Sequence, residues 1–147
     1  MADRVDRNIR TLIEGKESIT CPETMTVSEA AKVMKRNRIG AIMVVKGDKL
    51  IGIFTERDAL FRVLAEDRDL HSTRVADVMT RHPQAIHPDR QFADALQLMH
   101  DGRFRHVPVV ENGRAIGMVS ASDAMGPELE AFVWELLRQE QIGDVLA

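Results

Sequence analysis

The sequence is poor in cysteine and in aromatic residues: its 147 residues include one cysteine, one tryptophan, five phenylalanines and no tyrosine. The single cysteine, Cys21, excludes a disulfide within the chain and is typical of a reducing compartment. The net charge of −3 and the few aromatic side chains argue against a nucleic-acid-binding surface. Apolar runs such as Ala41–Val45 are too short to cross a bilayer, and Met1–Arg4 does not open an apolar signal segment. We therefore expect a cytoplasmic protein without a nucleic-acid or membrane partner.

Motifs that carry catalysis are also missing from the sequence. It contains neither a P-loop nor a Gly-x-Gly-x-x-Gly stretch, so nucleotide binding by those two routes is excluded. The histidines show no metal-ligand spacing, and Cys21 has no second thiol to act with it. We predict a protein that is not an enzyme, with no catalytic residues, no metal and no catalytic cofactor. The five histidines are His71, His82, His87, His100 and His106.

The sequence does contain one short segment that occurs twice. Gly52–Asp58 returns as Gly117–Asp123, displaced by 65 residues, and each copy places a hydroxyl three residues before an aspartate. Ser/Thr-x-x-Asp at the start of a helix is first of all a capping signature. The same geometry leaves backbone N–H groups and the positive end of the helix dipole free to bind a phosphate. Both interpretations stay open at this point.

The surrounding pattern predicts two copies of a β-α-β-β-α unit. Residues Val27–Ala59 align without gaps to Phe92–Ala124, which indicates a tandem duplication. Half-cores of this size are marginal alone, so we expect the copies to pack against one another in an α+β fold. The predicted segments are an N-terminal helix (1–17), repeat one (18–66), a linker (67–82), repeat two (83–126) and a C-terminal helix (127–147). The predicted inward residues are Val27, Ala30, Ala31 and Met34, then Leu60, Val63 and Leu64, and in repeat two Phe92, Ala95, Leu96 and Met99.

Two apolar stripes lie outside the repeats. Val5–Ile13 and Leu129–Leu137 each carry apolar residues at helical spacing. Because these faces need cover, we predict a homodimer. Trp134 lies off the second stripe, and we expect it to pack at the edge of an interface or to mark a docking position for a partner.

The strand ends next to the duplicated stretches are where an α/β arrangement forms crevices for ligands. An ionised aspartate only accepts hydrogen bonds, which suits a ribose diol, whereas hydroxyls, backbone N–H groups and arginines suit phosphate. This assortment favours a nucleotide over a sugar or a fatty acid. In copy one the crevice residues are Gly40, Ala41, Thr55, Arg57 and Asp58, and in copy two they are Arg105, His106, Ser120 and Asp123, with Pro108 just behind and Ser122 at the position of Arg57.

Together with Asp77–Thr80 and Phe104–Val110, the duplicated stretches resemble a pair of cystathionine-β-synthase (CBS) domains, a Bateman module. The resemblance covers about Ser18–Gly126, and the chain is similar to stand-alone bacterial CBS-pair proteins. It implies a pseudo-twofold pair with two clefts that bind AMP, ADP, ATP, NAD(H) or S-adenosylmethionine, with AMP as our first candidate. It also implies ribose binding by Asp58 and Asp123, phosphate binding by Thr55, Ser120 and nearby basic side chains, and adenine beside Thr20-Cys21 and Ala85-Ile86.

The two copies differ at positions that matter for this interpretation. Gly40 stands where copy two has Arg105, and Ser122 stands where copy one has Arg57, so we expect unequal clefts, of which one is empty or weaker. The leading hypothesis is a regulatory module that senses an adenosine nucleotide and passes the signal to an unidentified protein. The alternative is a structural or interaction module that binds no ligand, and an enzyme without recognisable motifs ranks third.

Overall fold

The computed structural model describes residues 7–124, 132 and 134–139. Repeat one and its flanks contain α1 (Ile9–Ile13), β1 (Thr20–Pro22), α2 (Val27–Asn37), β2 (Ala41–Lys46), β3 (Lys49–Thr55) and α3 (Glu56–Asp58), which continues as a π-helix over Ala59–Leu64. The linker and repeat two contain α4 (Val75–Val78), β4 (Thr80–Arg81), α5 (Phe92–Gly102), β5 (His106–Glu111), β6 (Arg114–Ser120) and a 3₁₀ turn over Ala121–Asp123. The α+β class is confirmed, and the order α-β-β recurs in both copies.

Repeat one forms the complete unit. The strand β1 runs parallel to β2, and β2 forms an antiparallel hairpin with β3. Thr26 caps α2, because its hydroxyl accepts the N–H of Glu29 at 3.2 Å. The buried core of this repeat includes Phe54, Val44 and Val63, whose side chains lie against the apolar face of α2. The predicted inward residue Ala31 is exposed and lies on the solvent side of α2.

Repeat two is a shortened copy. Its predicted first strand is reduced to one parallel bridge between Ile86 and Val109, and its last helix is a single 3₁₀ turn within the described residues. The predicted inward residues of α5, from Phe92 to Met99, are all buried. A hairpin follows at Asn112-Gly113, where both residues have positive φ, as a tight turn requires.

The two repeats share one sheet in the order β1-β2-β3-β6-β5, with β4 added beside β3. They join where Lys49 pairs antiparallel with Arg114. These two residues occupy equivalent positions in the two repeats, so the junction is consistent with a pseudo-twofold axis between them. The ion pair between Arg114 and Asp48, at 2.9 Å, crosses the same junction.

The segment that precedes each repeat in the sequence packs on the other repeat. Ile9 of α1 is fully buried in the core of repeat two, and Val75 of α4 is fully buried in the core of repeat one. The N-terminal stripe is therefore covered within the chain, and the prediction that it forms a free dimer face is wrong for its described residues. Two isolated antiparallel bridges hold these segments, Asn8 to Gln91 and Thr26 to Arg74.

The helix after β3 turns a different face inward from the one predicted. Val63 is fully buried, but Leu60 and Leu64 are 51% and 58% exposed, so the prediction that they face the core is wrong. The physical reason is the π-helix, which places more residues in each turn than an α-helix and shifts the side chains that follow. On the C-terminal stripe, Leu137 is exposed and Trp134 is 62% exposed, whereas Leu129 and Val133 lie outside the described residues. In the described part of the chain, every helix is too short or too polar to span a bilayer.

Candidate functional site

The first duplicated stretch closes a complete capping box. The Thr55 hydroxyl accepts the N–H of Asp58 at 3.1 Å, and Asp58 Oδ2 accepts the N–H of Thr55 at 3.0 Å. Asp58 is buried, and its Oδ1 lies 3.6 Å from Arg62 Nε. Arg62 also donates to the carbonyls of Val78 and Met79, which ties the π-helix to the linker. The cap therefore uses one carboxylate oxygen and leaves Oδ1 as the remaining acceptor.

The second stretch repeats this geometry with a different counter-ion. Asp123 Oδ2 accepts the N–H of Ser120 at 2.7 Å, and the Ser120 hydroxyl lies 2.7 Å from that of Ser122. Asp123 Oδ1 lies 3.4 Å from the ammonium of Lys16, a residue that follows α1. In repeat one the counter-ion of the aspartate comes from the helix that the aspartate starts, whereas in repeat two it comes from the N-terminal segment.

Both stretches are fixed to the residue that precedes the buried hairpin of their own repeat. The N–H of Glu56 donates to the carbonyl of Gly40 at 2.9 Å, and the N–H of Ala121 donates to the carbonyl of Arg105 at 2.9 Å. These two bonds are related by the shift of 65 residues. They hold Gly40 next to Glu56 and Arg105 next to Ala121, the first residue after the capping hydroxyl in each repeat.

A cavity with a volume of about 760 Å³ lies between the repeats. We call it the larger cleft. One wall comes from repeat one and carries Thr55, Arg57 and Asp58, and the opposite wall comes from repeat two and the linker. The polar residues of that second wall include Gln84, Arg103, Arg105 and His106.

A second cavity, the smaller cleft, has a volume of about 310 Å³ and is the pseudo-twofold counterpart of the first. Ser120, Ser122 and Asp123 of repeat two line one wall, and Ile19 and the stretch from Arg38 to Gly40 of repeat one line the other. Lys16 and Ile13 reach into it from the N-terminal segment, which leaves less space than in the larger cleft.

The grouping of site residues by copy is therefore incomplete. Gly40, Thr55, Arg57 and Asp58 share the larger cleft, and His106, Ser120 and Asp123 share the smaller one, but Arg105 lies in the larger cleft. Each cleft combines the capping motif of one repeat with the residues before β2 or β5 of the other, so Asp58 shares a cavity with Arg105, and Asp123 shares one with Gly40. The reason is the pseudo-twofold packing, which places the motif of one repeat opposite the hairpin entry of its partner. Gly40 and His106, which are closest to the axis, line both clefts.

Several predicted residues lie behind the clefts. Ala41 and Pro108 are buried in β2 and β5. Cys21 is 1% exposed in the core of repeat one, where burial raises the pKa of its thiol to about 11. Of the predicted adenine-side residues, Ile86 is likewise buried, whereas Thr20 and Ala85 are exposed but line neither cleft.

In place of the predicted adenine-side residues, Ile19 and Gln84, each one position earlier in the sequence, line the clefts. Arg103 was also missed, although it follows α5 as Arg38 follows α2, and both have positive φ at the helix end. Ile19 and Gln84 differ by 65 positions, as do Arg38 and Arg103. The alignment of the two repeats could therefore have identified these residues.

The larger cleft is rich in positive charge. Arg57 lies over the ring of Phe61 at 5.4 Å, and within the described residues neither Arg103 nor Arg105 forms an ion pair. Burial lowers the pKa of His106, an effect that the positive charge of Arg105 adds to and the carboxylates of Glu56 and Asp123 oppose. Near pH 7 His106 is therefore neutral and offers one donor and one acceptor.

One group of side chains outside the clefts has the composition of a metal site. Potential ligand atoms of His87, Asp89 and Glu111 lie within 4.8 Å of one another. The guanidinium of Arg10 already bonds both carboxylates, at 3.0 and 2.6 Å, and lowers the pKa of Glu111. This cluster is an ion-pair network that attaches α1 to repeat two.

Comparisons with known proteins agree with this architecture. Residues 11–65 and 75–126 match the family model described as the CBS domain. The mitochondrial CBS domain-containing protein CBSX3 of Arabidopsis thaliana is 41% identical over 110 residues, which cover 71% of this chain and 53% of that protein. The chain thus spans about half the length of CBSX3 and about a fifth of several other plant relatives.

Two solved structures have the same fold. A signal-transduction protein with CBS domains from Burkholderia ambifaria is 32% identical with a TM-score of 0.74, and the match covers 79% of this chain and 89% of that one. A CBS domain protein from Pyrobaculum aerophilum complexed with AMP is 24% identical with a TM-score of 0.75, covering 89% of this chain and 98% of that one.

Proposed function

Because the chain belongs to the CBS domain family, whose members are generally regulatory modules, we propose that it senses an adenosine nucleotide. The nucleotide binds in the larger cleft, without catalysis, and changes how the module acts on a regulated protein. AMP is the first candidate, with ADP, ATP and NAD(H) as the other members of the same ligand class.

The observation that carries this proposal is the composition of the larger cleft. It unites a buried aspartate, whose Oδ1 lies outside the cap and faces Arg62 at 3.6 Å, with arginines on both walls. Asp58 Oδ1 suits a ribose hydroxyl, and Arg57 and Arg105 suit phosphate because a guanidinium donates two parallel hydrogen bonds. Ile53 and Phe104 add apolar surface for a base, and the volume of about 760 Å³ lies within the range of nucleotide-sized pockets.

The Pyrobaculum aerophilum protein supplies a precedent for the ligand, since a protein of this fold is complexed with AMP. At 24% identity that likeness establishes the fold alone. The argument for this chain therefore rests on its own cleft residues.

The test is thermal unfolding of the purified chain with and without adenosine ligands. A ligand at a hundred times its dissociation constant adds about 2.7 kcal/mol to the free energy of unfolding. For a chain of this size that corresponds to a rise in Tm of roughly 5–10 °C. We expect the rise with AMP and not with CMP at the same concentration, and no loss of AMP after prolonged incubation. An unchanged Tm with every adenosine ligand would overturn the proposal, and turnover of AMP would overturn its non-catalytic part.

The alternative is an interaction module that binds no ligand, and one observation favours it. Both aspartates are already engaged in capping boxes, and the π-helix exposes Leu60, Phe61 and Leu64 side by side. An exposed apolar face of this kind is typical of a docking surface. Under this alternative, alanine at Leu60 and Leu64 changes the oligomeric mass while adenosine ligands leave Tm unchanged.

We also propose that the module is a homodimer. The apolar residues that remain exposed, on the π-helix and at Trp134 and Leu137, need cover that the described part of the chain does not provide. Light scattering at tens of micromolar should give twice the mass of the chain. A monomeric mass would contradict the proposal.

A further inference from the structure

The end of α1 and the residues that follow it lie in the smaller cleft. Ile13 is the last residue of α1, and both Ile13 and Lys16 line the cavity that also contains Asp123. Asp123 is the counterpart of Asp58 in the duplicated segment. Part of the chain itself therefore lies in the smaller cleft at the position that corresponds to the proposed ligand site of the larger cleft.

We propose that Ile13 and Lys16 compete with ligand for the smaller cleft and thereby limit the chain to one tightly bound adenosine ligand. The inference rests on the proposed function for the class of ligand. It goes beyond that function by assigning to two residues, both of which precede β1, the control of how many ligands the chain binds.

Lys16 occupies the acceptor oxygen that a ligand would need. Asp123 Oδ2 accepts the N–H of Ser120 at 2.7 Å, as the cap requires, and Oδ1 accepts a hydrogen bond from Lys16 Nζ at 3.4 Å. In the larger cleft, Asp58 Oδ1 faces Arg62 at 3.6 Å, and Arg62 directs its hydrogen bonds to two carbonyls of the linker. A ribose hydroxyl in the smaller cleft would have to displace Lys16, and this displacement would leave the cap intact.

Ile13 occupies space in the same cleft. A Cβ atom at Gly117 would lie 3.0–3.2 Å from three atoms of the Ile13 side chain. Because residue 117 has no side chain, Ile13 packs closely against β6 at the wall of the smaller cleft, which Gly117 also lines. The cleft has a volume of about 310 Å³, against about 760 Å³ for the larger one. A smaller side chain at residue 13 would enlarge it.

The anchoring of α1 keeps these two residues at the cleft. Ile9 is fully buried in repeat two, and its N–H donates to the carbonyl of Arg90 at 2.9 Å. Arg10 bonds the carboxylates of Asp89 and Glu111 at 3.0 and 2.6 Å. A group tethered next to its binding site competes at an effective concentration on the order of millimolar or higher. The segment can therefore compete with a dissolved ligand although each of its contacts is weak.

The exposure of the ion pair sets the size of the effect. The side chain of Lys16 is 57% exposed, and that of Asp123 is 22% exposed. Such a pair changes an equilibrium by up to about fivefold. Lys16 alone therefore weakens ligand binding in the smaller cleft, and the space filled by Ile13 supplies the remainder of the competition.

The experiment is a calorimetric titration with adenosine in an Asp58→Asn background, which weakens the larger cleft and leaves the smaller one to be observed. Lys16→Ala should tighten adenosine binding up to about fivefold. Adding Ile13→Ala should bring the gain to about tenfold or more, since each buried methylene that the ligand no longer displaces corresponds to about a fourfold change in affinity. Asp123→Asn should abolish the gain. Adenosine is the probe because it carries no phosphate for Lys16 to bind.

Leu12→Ala and Lys46→Ala are the matched controls. Leu12 packs on the same core as Ile13, and Lys46 is an exposed cation at the end of β2, but neither residue lines either cleft. Both changes should leave the affinity for adenosine as it is in the Asp58→Asn background. An equal gain from Leu12→Ala would show that loosening of α1 is sufficient and would overturn the assignment to Ile13.

The remaining outcomes separate this inference from the proposed function. An unchanged affinity in the variant that lacks both Ile13 and Lys16, or a Lys16→Ala variant that loses AMP affinity while adenosine binding is unchanged, would overturn the inference alone. Two equally tight sites in the wild-type chain would do the same. If the wild type binds no adenosine ligand and the variant with the opened smaller cleft binds adenosine, the proposed function of the larger cleft fails and the inference holds. If neither protein binds adenosine, both fail.

Discussion

Replacing Asp58 separates its role in capping from its proposed role in ribose binding. In the folded chain Oδ2 accepts the N–H of Thr55 at 3.0 Å, and Oδ1 faces Arg62 at 3.6 Å. Asparagine can present its one oxygen to the Thr55 N–H, but its amide then stands where Oδ1 stood. An amide N–H₂ donates, so it cannot accept hydrogen bonds from a ribose diol. Alanine removes both functions.

The structure sets the expected magnitudes. Asp58→Ala should lower the free energy of unfolding by about 1–2 kcal/mol, because a buried cap is lost. The ion pair with Arg62 adds little, since half of the arginine side chain is exposed. Asp58→Asn should cost less than about 0.5 kcal/mol of stability if its oxygen replaces Oδ2. Both variants should weaken adenosine-ligand binding by about 2–3 kcal/mol, or roughly 30- to 150-fold.

The assay pairs urea denaturation with calorimetric titration of AMP. Asp123→Asn is the matched control, because Asp123 has the same cap geometry but lies in the smaller cleft. It should affect only ligand bound at that cleft and leave binding at the larger cleft unchanged. If Asp58→Asn binds AMP as tightly as the wild type does, Asp58 is a helix cap and the ribose role is refuted.

Three further predictions follow from the same geometry. Alanine at Arg57 or Arg105 should weaken AMP more than adenosine, by a margin that shrinks as salt rises, and calorimetry showing equal losses would exclude a phosphate role. Burial lowers the pKa of His106 in the folded chain, so as pH falls the unfolded chain binds a proton at this histidine before the folded chain does. The free energy of unfolding should therefore decrease as pH drops below about 6.5. His106→Gln should flatten that decline in urea denaturation at pH 7.5 and 5.5, and an unchanged slope would contradict the assignment. Phe54→Ala should lower the free energy of unfolding by about 3–5 kcal/mol because Phe54 is fully buried, whereas Leu60→Ala should change it by less than about 0.5 kcal/mol. Equal losses in denaturant titrations would refute the observed orientation of the π-helix.

The repeat and its class of fold could be predicted because duplication carries information over a long stretch. The pattern of apolar residues at helical and strand spacing recurs with a constant shift, so α5 could be placed from α2 and its inward residues were identified correctly. Local chemistry gave the hairpin at Asn112-Gly113 and the caps at Thr55 and Ser120. These features depend on residues close to one another in the chain.

The composition of the clefts could not be predicted in the same way. Which residues of the other repeat face Thr55 depends on how the two repeats pack. That packing involves contacts between residues far apart in the sequence, such as Lys49 with Arg114, and these leave no periodic pattern. The orientation of Leu60 failed for a related reason, since nothing in the spacing distinguishes a π-helix from an α-helix.

The exchange of covering segments explains why the two clefts can differ although their motifs are copies. The N-terminal segment covers repeat two and brings Lys16 to Asp123, whereas the linker covers repeat one and brings Thr80 and His82 to the larger cleft. The capping motifs are under the same local constraint in both repeats, because each must start a turn. The residues that face them differ between the repeats, with Gly40 in one and Arg105 in the other, and both repeats keep the same hairpin in one sheet. We therefore expect the specificity of the proposed binding to depend on the residues that differ between the repeats, with the shared aspartates as a common frame.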